Sequence, residues 1–304
     1  MIKSGTFLYT LFGLQVSSEI ECPELLPGNA EAEVVIKFAP VPVTLKNPRF
    51  KGVRFQAVPG KLLLWVDNIV RILIQDGSTI LIDPSPEADQ DSIRVFLLGS
   101  AFGALLHQRG ILPFHGNAIH TPQGAFIFSG ASGAGKSTIA AALLKKGYPL
   151  IADDICAIHL NSNQIPEVLP GFPRLKLWED SLQQLQEEPD NFARVRPQLK
   201  KYNYPVIQSF TNKPVPLASL FILATTNKNE FTFRTVNGIE KFNLIKTNTY
   251  RHMYMEGLDT LKQHFKLASI VGNKVPMHMV TRPSEGFQLN SLVSKIEDKY
   301  LFNN

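Results

Sequence analysis

The residues most able to do chemistry form the glycine-rich segment GASGAGKS, from Gly130 to Ser137. It fits the pattern G-x-x-x-x-G-K-[ST], a loop whose backbone N–H groups hold phosphate oxygens. Its glycines permit backbone angles and close approaches that a Cβ atom would block. Lys136 would supply positive charge to the β- and γ-phosphates of a nucleotide, and Ser137 would offer a hydroxyl to Mg²⁺. The alternative is a glycine-rich turn that matches by chance.

The flanking residues favour the phosphate-binding interpretation. Ala125–Ser129 is a short apolar strand, and Thr138–Lys146 is rich in helix formers and is followed by Gly147 as a stop. The loop would therefore lead into a helix N-terminus, where the positive end of the helix dipole favours phosphate. The predicted nucleotide-binding residues are Gly130, Ala131, Ser132, Gly133, Ala134, Gly135, Lys136, Ser137 and Thr138.

An adjacent pair of carboxylates follows the same unit. Asp153 and Asp154 come at the end of a predicted strand, Tyr148–Ala152, and precede another, Cys156–Leu160. Two like charges near a phosphate loop require a cation or a proton. Mg²⁺ would meet the first requirement, and a hydroxyl acceptor losing its proton would meet the second. The alternative is a pair of aspartates that shapes a turn or caps a helix.

One histidine is predicted to lie beside the phosphate loop. Ile111–His120 reads as a strand that pairs with Ala125–Ser129 across a turn at residues 121–124. This hairpin would place His115 opposite Gly130, at the mouth of the loop. There His115 would touch phosphates or an acidic partner, unless backbone groups satisfy it.

Four basic residues are further candidates. Arg174 and Lys176 would point the same way in an extended segment and would contact a phosphate or an acidic part of a substrate, or else form a solvated basic turn. Arg251 would either stabilise charge or lie at the surface or the edge of the core. Arg282 follows the predicted strand Val275–Thr281 and is a candidate for transition-state stabilisation.

The remaining elements give a β-rich N-terminal domain at residues 1–91 and an α/β domain at residues 92–304. Residues 84–91 form an acidic linker, and residues 190–204 are predicted to be peripheral. The predicted strands are Thr6–Val16, Glu33–Phe38, Val53–Val58, Lys61–Val66, Val70–Gln75, Thr79–Ile82 and Pro216–Thr225, the last with Phe231–Val236 as its hairpin partner. The predicted helices are Ser92–Arg109, which is apolar almost all round, and Glu179–Glu188, Ile239–Glu256, Leu258–Val271 and Phe287–Leu301.

Composition excludes several classes of protein. A hydrophobic fraction of 44% with 19% charged residues is ordinary for a globular chain of 304 residues. There is no long apolar run and no signal-peptide pattern, so we predict a cytoplasmic protein without membrane association. The two cysteines allow at most one disulfide. The net charge of +5 comes from scattered basic residues, which disfavours nucleic-acid binding.

The segment from His115 to Asp154 resembles the HPr kinase/phosphorylase family. The shared features are His115–Gly116, the loop GASGAGKS, the helix that ends in KKGYPLIADD, and the carboxylate pair so soon after the loop. The resemblance implies an α/β P-loop kinase core of the HPr kinase/phosphoenolpyruvate carboxykinase type, which follows the β-rich domain in the sequence. FGLQVSSE, LLHQRGILPFHG and PGFPRLKLW look more like HPr-kinase-related proteins that phosphorylate serine in ribosomal peptides such as lasso peptides.

The resemblance implies a role for each matching residue. Asp153 would be the acid/base that handles the serine hydroxyl proton, and Asp154 would bind Mg²⁺ together with Ser137. Lys136 and the loop amides would hold the triphosphate of ATP, and His115 would lie beside the transferring phosphate.

Some features of the bifunctional family members are missing. Thr138 stands where they usually carry Glu, and PGFPRLKLW replaces their downstream signature. The N-terminal module also lacks the pattern of their regulatory domain. These differences weigh against phosphorylase activity, HPr as the substrate and a hexameric assembly.

Three functions remain open from the sequence. The first is an ATP- and Mg²⁺-dependent kinase that phosphorylates a serine of a protein or peptide, as a monomer or a homo-oligomer. The second is a kinase for a small molecule such as free serine. The third is a nucleotide-sensing protein that binds without turnover, although binding alone needs no base such as Asp153.

Overall fold

In the computed structural model, which describes residues 5–196, 199–228, 230–284 and 289–302, the chain divides into two units. The first runs up to Pro113 and includes Thr249–Leu267, and the second comprises Phe114–Asn248 and the chain from Ala268 onward. The sequence prediction placed a domain boundary at residue 91.

The strands are β1 (Phe7–Leu11), β2 (Leu14–Ser18), β3 (Leu26–Pro27), β4 (Val34–Phe38), β5 (Phe50–Lys51), β6 (Phe55–Val58), β7 (Lys61–Val66), β8 (Val70–Gln75), β9 (Thr79–Pro84), β10 (Leu112–Thr121), β11 (Gly124–Gly130), β12 (Leu150–Leu160), β13 (Pro166–Leu169), β14 (Arg174–Trp178), β15 (Lys201–Pro205), β16 (Val215–Thr226), β17 (Thr232–Thr235) and β18 (Met277–Pro283). The helices are α1 (Gln90–Phe96), α2 (Phe102–Gln108), α3 (Lys136–Lys145), α4 (Glu179–Gln184), α5 (Gly238–Thr247), α6 (Tyr254–Leu258), α7 (Leu261–Lys274) and α8 (Leu289–Tyr300).

The first unit contains a nine-stranded sheet in the order β3-β1-β2-β4-β9-β8-β7-β6-β5. The predicted β-rich character of the N-terminal region is confirmed. The single strand predicted for Thr6–Val16 is wrong, because it is a hairpin of β1 and β2. Phe12 and Gly13 turn the chain with φ angles of 52° and 73°, the left-handed conformations that a tight hairpin turn requires.

The predicted buried helix is present as α1 and α2, joined by a π-helical turn at Leu97–Ala101. The side chain of Asp89 caps α1 by accepting a hydrogen bond from the backbone N–H of Ser92 at 2.7 Å. Gln108 in α2 accepts from the N–H of Gly77 at 2.8 Å and donates to the carbonyl of Ile74. These bonds explain why the first unit extends beyond residue 91.

The second unit contains a seven-stranded sheet in the order β11-β10-β12-β13-β16-β18-β17, with an additional pairing of β11 with β16. Strands β11, β16 and β18 are parallel neighbours, so their carboxyl ends meet at one edge. Helices α3 and α8 contribute side chains to the same apolar core as β11 and β16. The described residues therefore form a mixed α/β structure with a β-rich N-terminal part.

Two further predictions are wrong. Residues 231–236 form no hairpin with the strand before them, because β17 pairs with β18 instead. The long helix predicted for Ile239–Glu256 is two helices, α5 and α6, since the chain breaks at Asn248 and Arg251 takes a left-handed φ of 52°. The predicted helix start at Phe287 lies outside the described residues.

Among the described residues, none of the helices has the length and apolar composition that crossing a membrane requires. Cys22 and Cys156 are both buried and form no disulfide.

Candidate active site

The phosphate loop connects β11 to α3 and has backbone angles suited to glycine. Gly130 has a φ of 138°, and a Cβ atom there would lie 2.4 Å from the carbonyl oxygen of Leu223 in β16. Gly135 has a φ of 101° immediately before α3 begins. The sequence motif therefore predicts this local backbone for a physical reason: a side chain would clash at the first position and strain the second.

The loop lines a cavity of about 250 Å³ in the second unit. Six predicted nucleotide-binding residues face it: Ser132, Gly133, Gly135, Lys136, Ser137 and Thr138. Gly130, Ala131 and Ala134 do not line the cavity. Their carbonyl oxygens instead accept hydrogen bonds that hold the loop in place.

The side chain of Lys136 folds back onto the phosphate loop. Its Nζ donates to the carbonyl oxygens of Gly130 at 2.9 Å and Ala131 at 3.1 Å. Burial lowers the pKa of Lys136, while Asp154 favours its charged form. The ammonium group is thus held at the edge of the cavity, where an anionic ligand would meet it.

Arg282 supports the loop from the end of β18. Its Nε donates to the carbonyl of Ala134 at 2.9 Å, and its Nη2 donates to the carbonyl of Gly133 at 3.0 Å. Arg282 reaches the loop because the carboxyl ends of β11, β16 and β18 share one edge of the sheet. It lines the cavity, and the predicted contact with a transferring phosphate stays a prediction.

Asp153 and Asp154 lie in the middle of β12, not at a strand end as predicted. Successive side chains of a regular strand point to opposite faces, yet both aspartates line the cavity. Asp154 has a φ of 71°, in the left-handed region. This change in backbone conformation turns two adjacent carboxylates toward the same cavity. One irregular residue in the strand therefore positions both.

The Asp153 carboxylate is held by a hydrogen bond at each oxygen. Oδ1 accepts from the Nδ2 of Asn117 at 2.5 Å, and Oδ2 accepts from the backbone N–H of Lys176 at 2.9 Å. Burial raises the pKa of Asp153, and Lys176 opposes that effect. Asp153 therefore has the fixed orientation and the raised proton affinity that suit a general base.

Sequence reasoning missed Asn117. It lies two residues after His115 on β10, and residues two apart on a strand face the same side. The structure supports this placement, because His115 and Asn117 both line the cavity. Counting by two from the predicted His115 would have found it.

Asp154 lies close to two basic side chains. Its carboxylate lies 3.3 Å from the Nζ of Lys176 and 3.4 Å from the Nδ1 of His115. Burial would raise the pKa of Asp154, but Lys176, His115 and Lys201 together lower it to about 2. Asp154 is therefore a carboxylate at any physiological pH.

His115 faces the same cavity as Asp154. Its Nδ1 lies 3.0 Å from the backbone carbonyl of Asp154, and because a carbonyl only accepts, that nitrogen carries a proton. Burial lowers the pKa of His115, although Asp154 favours the charged form. With 36% of its side chain exposed, His115 remains accessible from the cavity.

The remaining cavity wall comes from α4 and from the two-stranded sheet of β14 and β15. Trp178, Asp180, Ser181, Gln184 and Lys201 line it. The prediction that residues 190–204 are peripheral is wrong for Lys201, because β15 pairs with β14 along its length.

The other two predicted basic residues lie elsewhere. Arg174 is buried, with its guanidinium 4.9 Å from the ring centre of Phe172, so the solvated-turn interpretation is wrong for it. Arg251 belongs to the first unit, where its Nη2 donates to the Oγ of Ser100 at 3.0 Å.

The oxygen ligands available here suit Mg²⁺. Mg²⁺ is commonly bound through one or two carboxylates together with substrate phosphates and water, without a protein cage. The described residues contain no cluster of three His, Cys, Asp or Glu side chains placed to hold a metal. The Asp154 carboxylate and the Ser137 hydroxyl, both lining the cavity, match the sparser donor set.

Comparison with known proteins gives little. No family model matches the chain, and no curated protein sequence matches it. Among solved structures, the HPr(Ser) kinase/phosphatase from Coxiella burnetii is similar with a TM-score of 0.34 and 11% identity, over 61% of this chain and 88% of that one. A likeness at this level assigns neither a family nor an activity.

Proposed function

We propose that this protein is a kinase that transfers the γ-phosphoryl group of ATP to a serine hydroxyl of a protein or peptide. One observation carries the proposal: two adjacent carboxylates line the same cavity as the phosphate loop, Asp153 fixed by two hydrogen bonds and Asp154 paired with Lys176. The pKa of Asp153 is raised and that of Asp154 is lowered to about 2. Opposite displacements of this kind give the two carboxylates different roles: one can accept a proton, and the other stays charged and can bind a metal ion.

The transfer step would use Asp153 as the base. The serine oxygen forms a bond to the γ-phosphorus, and its proton passes to an oxygen of Asp153. The bond between the γ-phosphorus and the β–γ bridging oxygen breaks, and its electron pair leaves with ADP. Because phosphoryl transfer needs little covalent chemistry from the protein, positioning and charge neutralisation supply most of the rate.

The other residues would bind and orient the reactants. Lys136 and the loop amides would hold the triphosphate, while His115 would lie beside the transferring group. Asp154 and Ser137 would hold Mg²⁺, which neutralises phosphate charge when bound. Asn117 would keep Asp153 aimed at the acceptor oxygen through its hydrogen bond.

A transfer assay with γ-labelled ATP and Mg²⁺ tests the proposal, using HPr, a serine-containing peptide and free serine as acceptors. We expect label on the peptide or protein, lost in Lys136→Ala, together with weakened ATP binding in that variant. Label on free serine alone would indicate a small-molecule kinase instead. ATP binding without transfer to any acceptor or to water would contradict the kinase and favour a nucleotide-sensing protein.

A further inference from the structure

Lys201 occupies a defined place in the cavity wall. It opens β15 directly opposite Trp178 of β14, and side chains of directly opposed residues lie on the same face of a ladder. Lys176 precedes Trp178 by two residues and shares that face. The sheet of β14 and β15 thus contributes one lysine from each strand: Lys176 pairs with Asp154 at 3.3 Å, and Lys201 lines the cavity of the phosphate loop.

The neighbouring cations already have strong partners. Lys136 donates to two loop carbonyls, Arg282 donates to the carbonyls of Gly133 and Ala134, and Lys176 pairs with Asp154. Lys201 lies over the ring of Trp178, with Nζ 5.5 Å from the ring centre. Among the described residues, no carboxylate forms an ion pair with it.

A contact with an aromatic face leaves the ammonium donors of Lys201 available. Such a contact is weak at an exposed site, and a lysine ammonium has three N–H donors. Trp178 is 41% exposed, so its ring does not enclose the ammonium group of Lys201. An anionic oxygen entering the cavity would be a much stronger partner.

The residues that share the cavity with Lys201 indicate where that anion would lie. Lys201 interacts electrostatically with both aspartates and with Lys136. Lys201, Asp153, Asp154 and Lys136 all line the same cavity. A γ-phosphoryl group passing from a nucleotide on the phosphate loop to an acceptor at Asp153 would move within that cavity.

We propose that Lys201 is a second phosphate-binding cation that contacts the γ-phosphoryl group during its transfer. This inference rests on the proposed kinase function and adds a catalytic residue to it. Charge in the transition state is spread over the three equatorial oxygens of the transferring group. A cation whose contact strengthens as that charge develops accelerates the step.

Two substitutions and a matched control test the role. Lys201→Met removes the charge and keeps most of the stem, while Lys201→Arg keeps the charge. Lys200→Met is the control, because Lys200 pairs with Glu179 at 2.9 Å with 69% of its side chain exposed and does not line the cavity. The measurements are kcat for transfer and the Kd values for ATP and for ADP.

We expect Lys201→Met to lower kcat by about 100-fold, the usual effect of losing one transition-state donor. Its affinity for ATP should fall more than its affinity for ADP, which lacks the γ-phosphate. Lys201→Arg should retain much of both properties, and Lys200→Met should match the wild type. Lys136→Ala, in contrast, should weaken the binding of both nucleotides.

Two results would overturn the inference: an unchanged kcat with the wild-type preference for ATP over ADP, or equal weakening of both nucleotides. If the wild type transfers phosphate to no acceptor, the proposed kinase function fails separately. The Kd values for ATP and ADP then test the role of Lys201 without any transfer assay. Loss of the preference for ATP in Lys201→Met would support the role, and retention of that preference would refute it.

Discussion

Replacing Asp153 by asparagine isolates its charge and basicity from its place in the fold. The carboxylate accepts hydrogen bonds from Asn117 and from the backbone N–H of Lys176. Asparagine has the same shape, and its remaining oxygen can accept from Lys176. The amide of Asn117 can turn over to present its oxygen to the new NH₂ group, so both hydrogen bonds persist.

The magnitude follows from the role of a general base. Such a group contributes about 10²–10⁴-fold to a rate, which corresponds to about 3–5 kcal/mol of transition-state stabilisation. We expect Asp153→Asn to lose that factor in kcat while its Kd for ATP stays within about twofold. Asp153→Ala should lose the same activity and also stability, because each buried donor left without an acceptor costs about 1–3 kcal/mol.

Three measurements separate these effects: transfer of label from γ-labelled ATP, calorimetric titration with ATP, and unfolding in urea. Asp190→Asn is the control, since Asp190 is exposed and does not line the cavity. Turnover of Asp153→Asn within threefold of the wild type would refute the base assignment. Loss of turnover together with loss of ATP binding would refute the separation of catalysis from binding.

Two further predictions concern neighbouring cations. Lys176→Met removes a positive charge that lowers the pKa of both aspartates. The acid limb of the kcat/KM profile should therefore move to higher pH. A pH profile with an unchanged acid limb would contradict this. Arg282→Ala removes the donors to two loop carbonyls. Its Kd for ATP, measured by calorimetry, should rise about tenfold, or about 1.4 kcal/mol, with little change in kcat at saturating ATP. A fall in kcat at unchanged Kd would instead give Arg282 a direct role at the transferring phosphate.

Local patterns in the sequence predict the elements that depend on neighbouring residues. The bounds of β7 and β8 are as predicted, because short apolar runs and the turns around them specify both ends. The hairpin of β10 and β11 has the predicted register, because the short turn between the strands fixes it. The glycines of the phosphate loop adopt the conformations that their spacing implies.

Two of the missed features, the continuation of β12 and the placement of Lys201, could not be predicted from the sequence. Two adjacent aspartates look like the end of a strand, yet β12 continues through them because Asp154 adopts a left-handed conformation inside the sheet. Lys201 follows a charged and irregular segment, and only its pairing with β14 brings it to the cavity. Local composition carries no signal for either event.

The left-handed conformation of Asp154 also sets stability against function. That conformation costs about 1–2 kcal/mol for a residue with a side chain, although aspartate tolerates it better than most, and glycine adopts it freely. A chain optimised only for folding would therefore favour glycine at this position of β12. Keeping a carboxylate there retains backbone strain beside the phosphate loop. Substitutions elsewhere that stabilise the second unit would offset the free-energy cost of this strain.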